Sequence, residues 1–449
     1  FPDFALEHQA SVEAMPDSAV LDETKSILKE LSLDSVNPLH QFDRNLRKNN
    51  EWSVVIRRHL LHARFVKSLL VNRKYHFIRG ENTSQIGCMI QLASGRLGHR
   101  YLLPKNARIA NRLEFDGEVP GSLLGWRHHY EAYREGRTNE VLEVSRAEAM
   151  EWYEEFRSTP KRPKWSISNS RLRFKPGKQF RLYASLISKR LLKPLRQDRA
   201  MRQYDRSTRF SRFPGVEFCR SVIRPDLRSA VHRRRKLFRK LPDLEGDYIY
   251  FPLHYTPEIS TLVYGYRYET QIDLIRMLAA YLPTGFRLLV KEHTSMIGRR
   301  PYAFYKKLES FYNVTFVPPQ VSTFDVMSKA RAVAVITGTA GWEAFVQGKP
   351  VLAFGDVFFR EFPNVLSLEA TPDMSTSIRS YLDNFSTDEQ SIRDSVAAYF
   401  ASTYRSTMVD LGNDTTAEQW ATEAQNFVKA CEWALGVLSS ESRVDELLA

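Results

Sequence analysis

Between residues 247 and 355 the sequence alternates short apolar runs with amphipathic stretches. Five runs predict buried strands: Asp247–Leu253, Phe286–Lys291, Val314–Val317, Ala332–Thr337 and Val351–Phe354. The stretches between them carry apolar residues at helical spacing, as in Glu269–Leu282. Nearly continuous apolar strands that alternate with helices are typical of a buried parallel sheet with right-handed crossovers. The pattern therefore predicts an α/β fold with a doubly wound, Rossmann-like domain in this half.

The flanking regions give weaker patterns. Residues 1–40 are expected to form a helical preface, and Tyr75–Ile78 a short strand that runs into a turn. Residues 113–121 are expected to form an acidic loop because Gly and Pro interrupt them. The tail predicts one long helix, whose apolar residues recur at spacings of four and three: Trp420, Ala424, Phe427, Cys431, Ala434 and Leu438. Such a stripe must pack against other elements, and we expect it to lie across both domains.

Composition places the chain in the ordinary globular class. Its 449 residues are 43% hydrophobic and 26% charged, which allows two or three domains. We expect an N-terminal domain over 1–240, a nucleotide-binding domain over 241–385 and a helical tail over 386–449. The three cysteines fit neither a disulfide framework nor a zinc site, so a reducing, intracellular setting is expected. No apolar run reaches the roughly 18 residues of a membrane span, and a start at Phe1 leaves the natural N-terminus open.

Positive charge is concentrated in one stretch. Residues 157–240 contain 27 Lys and Arg against four acids, a net charge of +23, whereas the rest of the chain carries −10. Such a stretch indicates an anionic partner: nucleic acid, an acidic membrane or a phosphorylated substrate. Leucines at near-helical spacing beside Lys and Arg between 182 and 196 favour the membrane surface. A solvated basic face, or a helix whose leucines face the core, would show the same pattern.

The loops that follow the predicted strands carry the candidate chemistry. Open parallel sheets bind ligands at the carboxyl ends of their strands, and three of these loops are polar. The turn 337–341 consists of small residues and opens a helix, an arrangement that can bind a phosphate through backbone N–H groups. The nucleotide site is expected to contain these residues: His254, Glu258, Lys291, His293, Thr337, Gly338, Thr339, Ala340, Gly341 and Glu343.

Individual residues in this set have alternative explanations. The turn could need small residues only for packing, and His293 or His254 could be a structural histidine. Lys291 and the Arg299–Arg300 pair near His293 favour a role for this histidine in stabilising a phosphate leaving group. Glu343 is expected to accept hydrogen bonds from ribose hydroxyls. No motif with metal-ligand spacing occurs, so we expect neither a metal nor another cofactor.

Three segments resemble a known family: YFPLHYTPEIST, KEHT and ITGTAGWEAFVQGKPVLAFG. Together they are similar to the bacterial capsule and surface polysaccharide biosynthesis family, whose glycosyltransferases have two facing Rossmann-like domains, the GT-B fold. The related sialyltransferase and polyol-phosphate transferase families use a His-Pro pair and a hydroxyl-rich turn to bind a cytidine nucleotide. By position, His293 takes the role of that histidine, with Thr294 in place of the proline. The Glu-Asp-Gly-Phe run of capsule enzymes that add Kdo to a lipid is not found.

The resemblance implies a transferase that moves a sugar from a nucleotide-sugar donor onto a surface polysaccharide or lipid-linked acceptor. The acceptor side is then the N-terminal domain, where Glu81 is the first and Asp116 the second candidate for a catalytic carboxylate. We expect a cytoplasmic enzyme that binds the anionic inner membrane face and no nucleic acid. Two alternatives are transfer of a polyol phosphate from a CDP-polyol and a non-catalytic nucleic-acid binder. The donor sugar, acceptor, linkage, stereochemistry and oligomeric state are left open.

Overall fold

The structure is a computed structural model, and it describes residues 1–43, 51–80, 84–116, 121–161, 224, 228, 245–318, 321–406 and 416–448. Most of the basic stretch 157–240 and the candidate residue Glu81 lie outside the described residues. The prediction that this stretch binds an anionic membrane surface and no nucleic acid stays a prediction.

The N-terminal half contains seven helices and three strands among the described residues. In chain order they are α1 (Pro2–Glu13), α2 (Asp17–Glu30), α3 (Asn37–Phe42), α4 (Trp52–Leu70), β1 (Ile78–Arg79), α5 (Gln85–Arg96), β2 (Tyr101–Asn106), β3 (Arg112–Asp116), α6 (Trp126–Arg134) and α7 (Glu140–Ser158). The strand expected at Tyr75–Ile78 begins only at Ile78.

Strands and helices alternate after residue 245. In chain order they are β4 (Tyr248–Pro252), α8 (Ile259–Leu262), α9 (Ile272–Tyr281), β5 (Arg287–Lys291), α10 (Tyr302–Glu309), β6 (Val314–Val317), α11 (Thr323–Lys329), β7 (Ala332–Val335), α12 (Thr339–Val346), β8 (Val351–Ala353), β9 (Val365–Ser367), α13 (Met374–Asp383), α14 (Glu389–Ala401), β10 (Thr403–Arg405) and α15 (Ala417–Leu448). The five predicted strands are all present, and β9 and β10 are additional.

Six of these strands form one parallel sheet in the spatial order β6-β5-β4-β7-β8-β9. Counted from β4, this is the order 3-2-1-4-5-6 of a Rossmann sheet. The predicted parallel α/β domain is therefore confirmed. The chain leaves β4 towards β5 on one side and returns to β7 on the other, so the order reverses between β4 and β7.

Helices cover both faces of the parallel sheet. On one face, α9 and α13 bury apolar residues such as Ile275 and Ile378 against the strands. On the other face, α12 packs with α7 and α14, and the rings of Trp342 and Tyr399 lie 4.8 Å apart. Because α7 precedes the basic stretch and α14 follows the sheet, residues distant in sequence complete this core.

The described N-terminal half contains a different, smaller sheet. Its order is β1-β2-β3-β10; β1 and β2 are parallel, and the other neighbours are antiparallel. A second Rossmann-like domain is thus not confirmed. The acidic loop predicted over 113–121 is wrong in its first part, because β3 continues to Asp116. Leu113 and Phe115 face an apolar core, and Lys105 on β2 pairs with the intervening carboxylates of Glu114 and Asp116.

The long helix α15 packs on this mixed sheet. Ala430, Cys431, Ala434 and Leu435 are buried against a set of side chains from the sheet and the loop after it: Leu102, Leu113, Phe115 and Leu124. Of the predicted apolar stripe, Phe427, Cys431, Ala434 and Leu438 belong to this packing face, whereas Trp420 and Ala424 near the start of α15 are exposed. The described contacts of this core lie on the mixed sheet. No helix among the described residues has the length and hydropathy that crossing a bilayer requires.

We expect Leu435→Ala to lower the free energy of unfolding by about 2 kcal/mol, because the substitution leaves a cavity between α15 and the mixed sheet. Urea denaturation followed by circular dichroism measures the change. Val428→Ala on the same helix is the matched control, since Val428 is 55% exposed and such surface changes stay within about 0.5 kcal/mol. Equal effects of the two substitutions would contradict the packing of α15 described above.

Candidate functional site

The loops that follow β4 and β7 meet where the strand order reverses, at the carboxyl edge of the parallel sheet. The backbone N–H of Thr337 donates a hydrogen bond to Nε2 of His254 over 3.0 Å. The Thr337 hydroxyl donates to the carbonyl oxygen of Ser260 over 2.8 Å. Ligands of open α/β sheets bind at such a switch point. The structure thus brings two of the sequence-predicted residues, His254 and Thr337, together at the expected place.

His254 is held neutral at this edge. It is 5% exposed, and burial, followed by the neighbouring charges of His293 and Arg300, lowers its pKa to about 3. Because its Nε2 accepts the hydrogen bond from Thr337, that nitrogen carries no proton. His254 therefore positions the β7 loop and supplies no positive charge to a phosphate.

The turn after β7 is shaped by close approach of its backbone to other groups. A Cβ atom on Gly338 would lie 3.0 Å from Nε2 of His254. A Cβ atom on Gly341 would lie 2.6 Å from the Phe359 ring, and its N–H already donates to the Gly338 carbonyl oxygen. Gly341 thus serves packing. Gly338 and Thr339, which remain partly exposed at the start of α12, form the part of the turn that a ligand can reach.

Three further residues expected to bind nucleotide are buried. Glu343 in α12 is 4% exposed, and Ala340 beside it belongs to the core of the sheet. Lys291 at the end of β5 is 5% exposed, and its Nζ lies 3.4 Å from the Thr323 hydroxyl on α11. Glu258 is exposed and forms a capping box with Thr261 at the start of α8. Glu343, Ala340 and Lys291 therefore support the edge from inside the core, whereas Glu258 lies at the surface.

A buried ion pair that sequence reasoning missed anchors the β5 loop. Nε of Arg300 lies 3.0 Å from Oε2 of Glu292, and both side chains are at least nine-tenths buried. The Tyr305 hydroxyl donates to the same oxygen over 2.8 Å. Burial raises the pKa of Glu292, and the positive charge of Arg300 opposes that rise. The sequence signal is two opposite charges eight residues apart in a polar loop, which the pattern of polar residues after β5 assigned to ligand binding.

The same arginine connects the β5 loop to the β4 loop. Nη2 of Arg300 donates to the His254 carbonyl oxygen over 2.6 Å. The amide of Gln271 brackets the same residue: its Oε1 accepts the His254 N–H over 2.8 Å, and its Nε2 donates to the His254 carbonyl oxygen over 3.3 Å. A continuous polar network therefore runs from Glu292 through Arg300 to His254 and on to Thr337.

His293 lies on the exposed side of this network. Its Nδ1 accepts a hydrogen bond from the Ser295 N–H over 3.2 Å, so in the neutral ring the proton is on Nε2. The ring contacts Tyr255 edge to face, with centroids 6.0 Å apart, and the guanidinium of Arg299 lies 5.5 Å from the centroid of the same tyrosine. An exposed N–H donor and a cation thus share one rim of the edge.

Asp116, the second candidate for a catalytic carboxylate, is fully buried. Nζ of Lys105 lies 2.5 Å from its Oδ1, and its Oδ2 accepts hydrogen bonds from the Tyr264 hydroxyl and the Gly121 N–H, both over 3.0 Å. Burial alone would lower the pKa of Lys105. The negative charges of Asp116 and Glu114 outweigh this effect, so the pKa of Lys105 is raised. Because Tyr264 follows α8, Asp116 connects the mixed sheet to the parallel-sheet half. The structure does not bring His293 and Asp116 into contact, and Glu81 lies outside the described residues.

No group of three or more His, Cys, Asp or Glu that could hold a metal ion occurs in the described ranges. The carboxylates at this edge are instead paired, as Glu292 is with Arg300. The absence of a metal from the reaction stays a prediction.

Comparison with known families identifies the segment that carries this edge. Residues 233–362 match the family described as "Capsule polysaccharide biosynthesis protein". The match includes strands β4 to β8 and all three segments on which the sequence resemblance rests, so that resemblance is confirmed. No curated protein matches the chain in sequence.

Two solved structures from Thermosulfurimonas dismutans are similar to part of the chain. The first, KpsC, beta Kdo 2,7 transferase, is 18% identical over 47% of this chain and 64% of its own length, with a TM-score of 0.26. The second, KpsC, beta Kdo 2,4 transferase, is 11% identical over 73% of this chain and 78% of its own length, with a TM-score of 0.30. The chain thus spans less than two thirds of the first structure. Both TM-scores are low.

We expect Arg300→Met to lower the free energy of unfolding by about 3–5 kcal/mol, because it leaves the Glu292 carboxylate buried without its partner. Chemical denaturation measures the loss, and adding Glu292→Gln to the variant should recover part of it. The matched control is Arg267→Met, which breaks the exposed Arg267–Glu369 pair and should cost about 0–1 kcal/mol. A loss as small as that of the control would show that the network does not anchor the loops.

Proposed function

We propose that the chain is a glycosyltransferase that moves a sugar from a nucleotide-sugar donor, of the cytidine type, onto a surface polysaccharide or lipid-linked acceptor. One observation carries the proposal: within the segment that matches the capsule polysaccharide family, the His254 and Thr337 loops meet at the switch point of a Rossmann-ordered sheet. Such an edge is where this type of sheet binds nucleotides.

The donor phosphate is proposed to bind at Gly338 and Thr339. These residues open α12, where backbone N–H groups and the helix dipole favour an anion. Buried His254 holds the start of this turn in place, because its Nε2 accepts a hydrogen bond from the Thr337 N–H. His293 and Arg299, on the loop after β5, provide a hydrogen-bond donor and a positive charge on the same edge.

In the proposed reaction the acceptor hydroxyl oxygen attacks the anomeric carbon, and the bond from that carbon to the donor phosphate oxygen breaks. The electron pair of that bond goes to the phosphate, where the Nε2–H of His293 stabilises the developing charge. The acceptor proton goes to a carboxylate, for which we propose Glu81. Asp116 is less suited to this role, because Lys105 and Tyr264 already occupy its oxygens.

The N-terminal half is proposed to bind the acceptor, as the second domain of a GT-B enzyme. Its mixed sheet adjoins the parallel-sheet half through the bond between Tyr264 and Asp116, beside the edge that would hold the donor. We also propose that the transfer needs no metal ion, since His293, Arg299 and the start of α12 can offset the phosphate charge. The transferase assay is therefore run in EDTA.

We expect CMP or CDP to stabilise the protein more than UDP, GDP or ADP in a thermal-shift panel. A nucleotide at about 100 times its dissociation constant stabilises the folded state by about 2.7 kcal/mol. Thr339→Asp should abolish this effect, because the carboxylate repels the phosphate while it favours the start of α12. The control Thr422→Asp, on the exposed side of α15, should keep it. Full nucleotide protection of the Thr339 variant would place the binding site elsewhere.

We expect His293→Ala to lower turnover by about 10², the loss typical of one donor that stabilises a developing anion. The melting temperature should change little, since the ring is exposed. Transfer of labelled sugar to an acceptor polysaccharide measures turnover. His76→Ala, an exposed histidine in the N-terminal half, is the control and should remain active. An active His293 variant would remove this residue from the mechanism, and inactivity of the unmodified enzyme in EDTA would show a metal requirement.

A further inference from the structure

Arg228, a described residue of the basic stretch 157–240, lies against the candidate site. Its Nη1 is 3.5 Å from the carbonyl oxygen of Arg299, in the loop after β5. Both arginine side chains are partly exposed, and His293 on the same loop is exposed. We call these three residues, Arg228, His293 and Arg299, the β5 rim. Arg228 thus brings a second guanidinium to this rim from a segment outside the parallel sheet.

Tyr255, in the loop after β4, holds two members of the β5 rim together. The guanidinium of Arg299 lies 5.5 Å from the centroid of the tyrosine ring. The His293 ring meets the same tyrosine edge to face, with centroids 6.0 Å apart. Contact with an aromatic face stabilises a guanidinium and restricts its orientation. Tyr255 therefore keeps a cation and an N–H donor on the same rim before any ligand binds.

The carboxylates of these two loops have partners outside the β5 rim. Glu292, at the end of β5, is paired with Arg300 and accepts a hydrogen bond from the Tyr305 hydroxyl. Glu258, in the loop after β4, accepts a hydrogen bond from the Ser260 hydroxyl over 2.9 Å and caps α8. The described residues of the two loops thus place positive charge at the rim and direct their carboxylates to other groups.

The β5 rim has the groups that recognise phosphate. A guanidinium presents its N–H donors in a fixed fork that matches two phosphate oxygens, and its charge strengthens both hydrogen bonds. In the neutral His293 ring, Nδ1 accepts the Ser295 N–H, so Nε2 carries the proton and is a further donor. Two guanidinium forks and an imidazole N–H on one rim therefore favour an oxyanion with several acceptor oxygens.

The β5 rim is separated from the start of α12, where the donor phosphate is proposed to bind. Strand β4 lies between β5 and β7 in the sheet. Because neighbouring strands are about 4.8 Å apart, the loops after β5 and β7 leave the sheet about 10 Å apart. His254 and Tyr255, which follow β4, contact Thr337 on one side and His293 on the other. A ligand that reaches both places needs two anionic groups, and two linked phosphates provide them.

We propose that the β5 rim binds a second phosphate of the donor, so that the ligand of this edge is a nucleoside diphosphate. This inference rests on the proposed function, which supplies the nucleotide, and it adds Arg228 to the binding residues. One phosphate binds at Gly338 and Thr339, and the other accepts hydrogen bonds from the β5 rim. The two arginines of the rim balance the additional negative charge that distinguishes a diphosphate from a monophosphate.

Isothermal titration calorimetry on the full chain in EDTA compares CDP with CMP, and pyrophosphate with phosphate. We expect CDP to bind about tenfold more tightly than CMP, because the second phosphate gains charge-assisted hydrogen bonds. Equal affinities of CDP and CMP would overturn the inference and leave the nucleotide site in place. If neither nucleotide binds, the proposed function is wrong. Tighter binding of pyrophosphate than of phosphate would then still support two phosphate centres, and equal binding would overturn them.

Arg228→Gln removes one charge of the β5 rim and keeps a polar side chain. We expect the preference for CDP over CMP to fall about fivefold, because one charge-assisted contact is lost, and Arg228→Lys to retain most of it. The control Arg276→Gln, an exposed position on α9 in the same half, should keep the preference of the parent. Arg299→Gln should act like Arg228→Gln, and it decides the question if the Arg228 variant does not fold. An unchanged preference in these rim variants would overturn the assignment of the second phosphate to the β5 rim.

Discussion

The ion pair between Glu292 and Arg300 is the interaction on which the candidate site depends. A buried carboxylate must be paired and hydrogen-bonded, and here Arg300 and Tyr305 supply those partners. Arg300 also donates a hydrogen bond to the His254 carbonyl oxygen. The ion pair therefore holds both the loop after β5 and the loop after β4 in place. His254 then fixes a third loop through Thr337. The open surface of the edge can therefore consist of backbone and small residues, while rigidity comes from the polar layer beneath it.

A second buried network, formed by Lys105, Asp116 and Tyr264, connects the two halves of the molecule. The lysine and aspartate come from neighbouring strands of the mixed sheet, and the tyrosine follows α8 near the carboxyl edge of the parallel sheet. Tyr264 also packs in the apolar core of α4 and α5. A substitution in either sheet can thus change the carboxyl edge of the parallel sheet through a few buried contacts. This coupling is the reason why Asp116 belongs to the architecture of the molecule.

The sequence predicted the parallel sheet because its strands are apolar on both faces, and the bounds of Val314–Val317 agree in full. It did not predict β3, because the pairing of Glu114 and Asp116 with Lys105 depends on a neighbouring strand. The edge was located correctly, since residues after parallel strands must meet there. The neutrality of His254 and the packing role of Gly341 depend on three-dimensional neighbours, which spacing does not show. The burial of polar side chains such as His59 and His62 on α4 was not predicted, because it depends on the helices that pack around α4.

The return of the chain to the mixed sheet has a consequence for its synthesis. Arg112 on β3 bonds Thr403 on β10, 291 residues later, and α15 follows only after that strand. At about 5–20 residues per second, a ribosome leaves β3 without its neighbour for roughly 15–60 s. An open strand edge is a template for pairing with other chains. Charged Arg112, Glu114 and Asp116 alternate along β3 and discourage such pairing until β10 emerges.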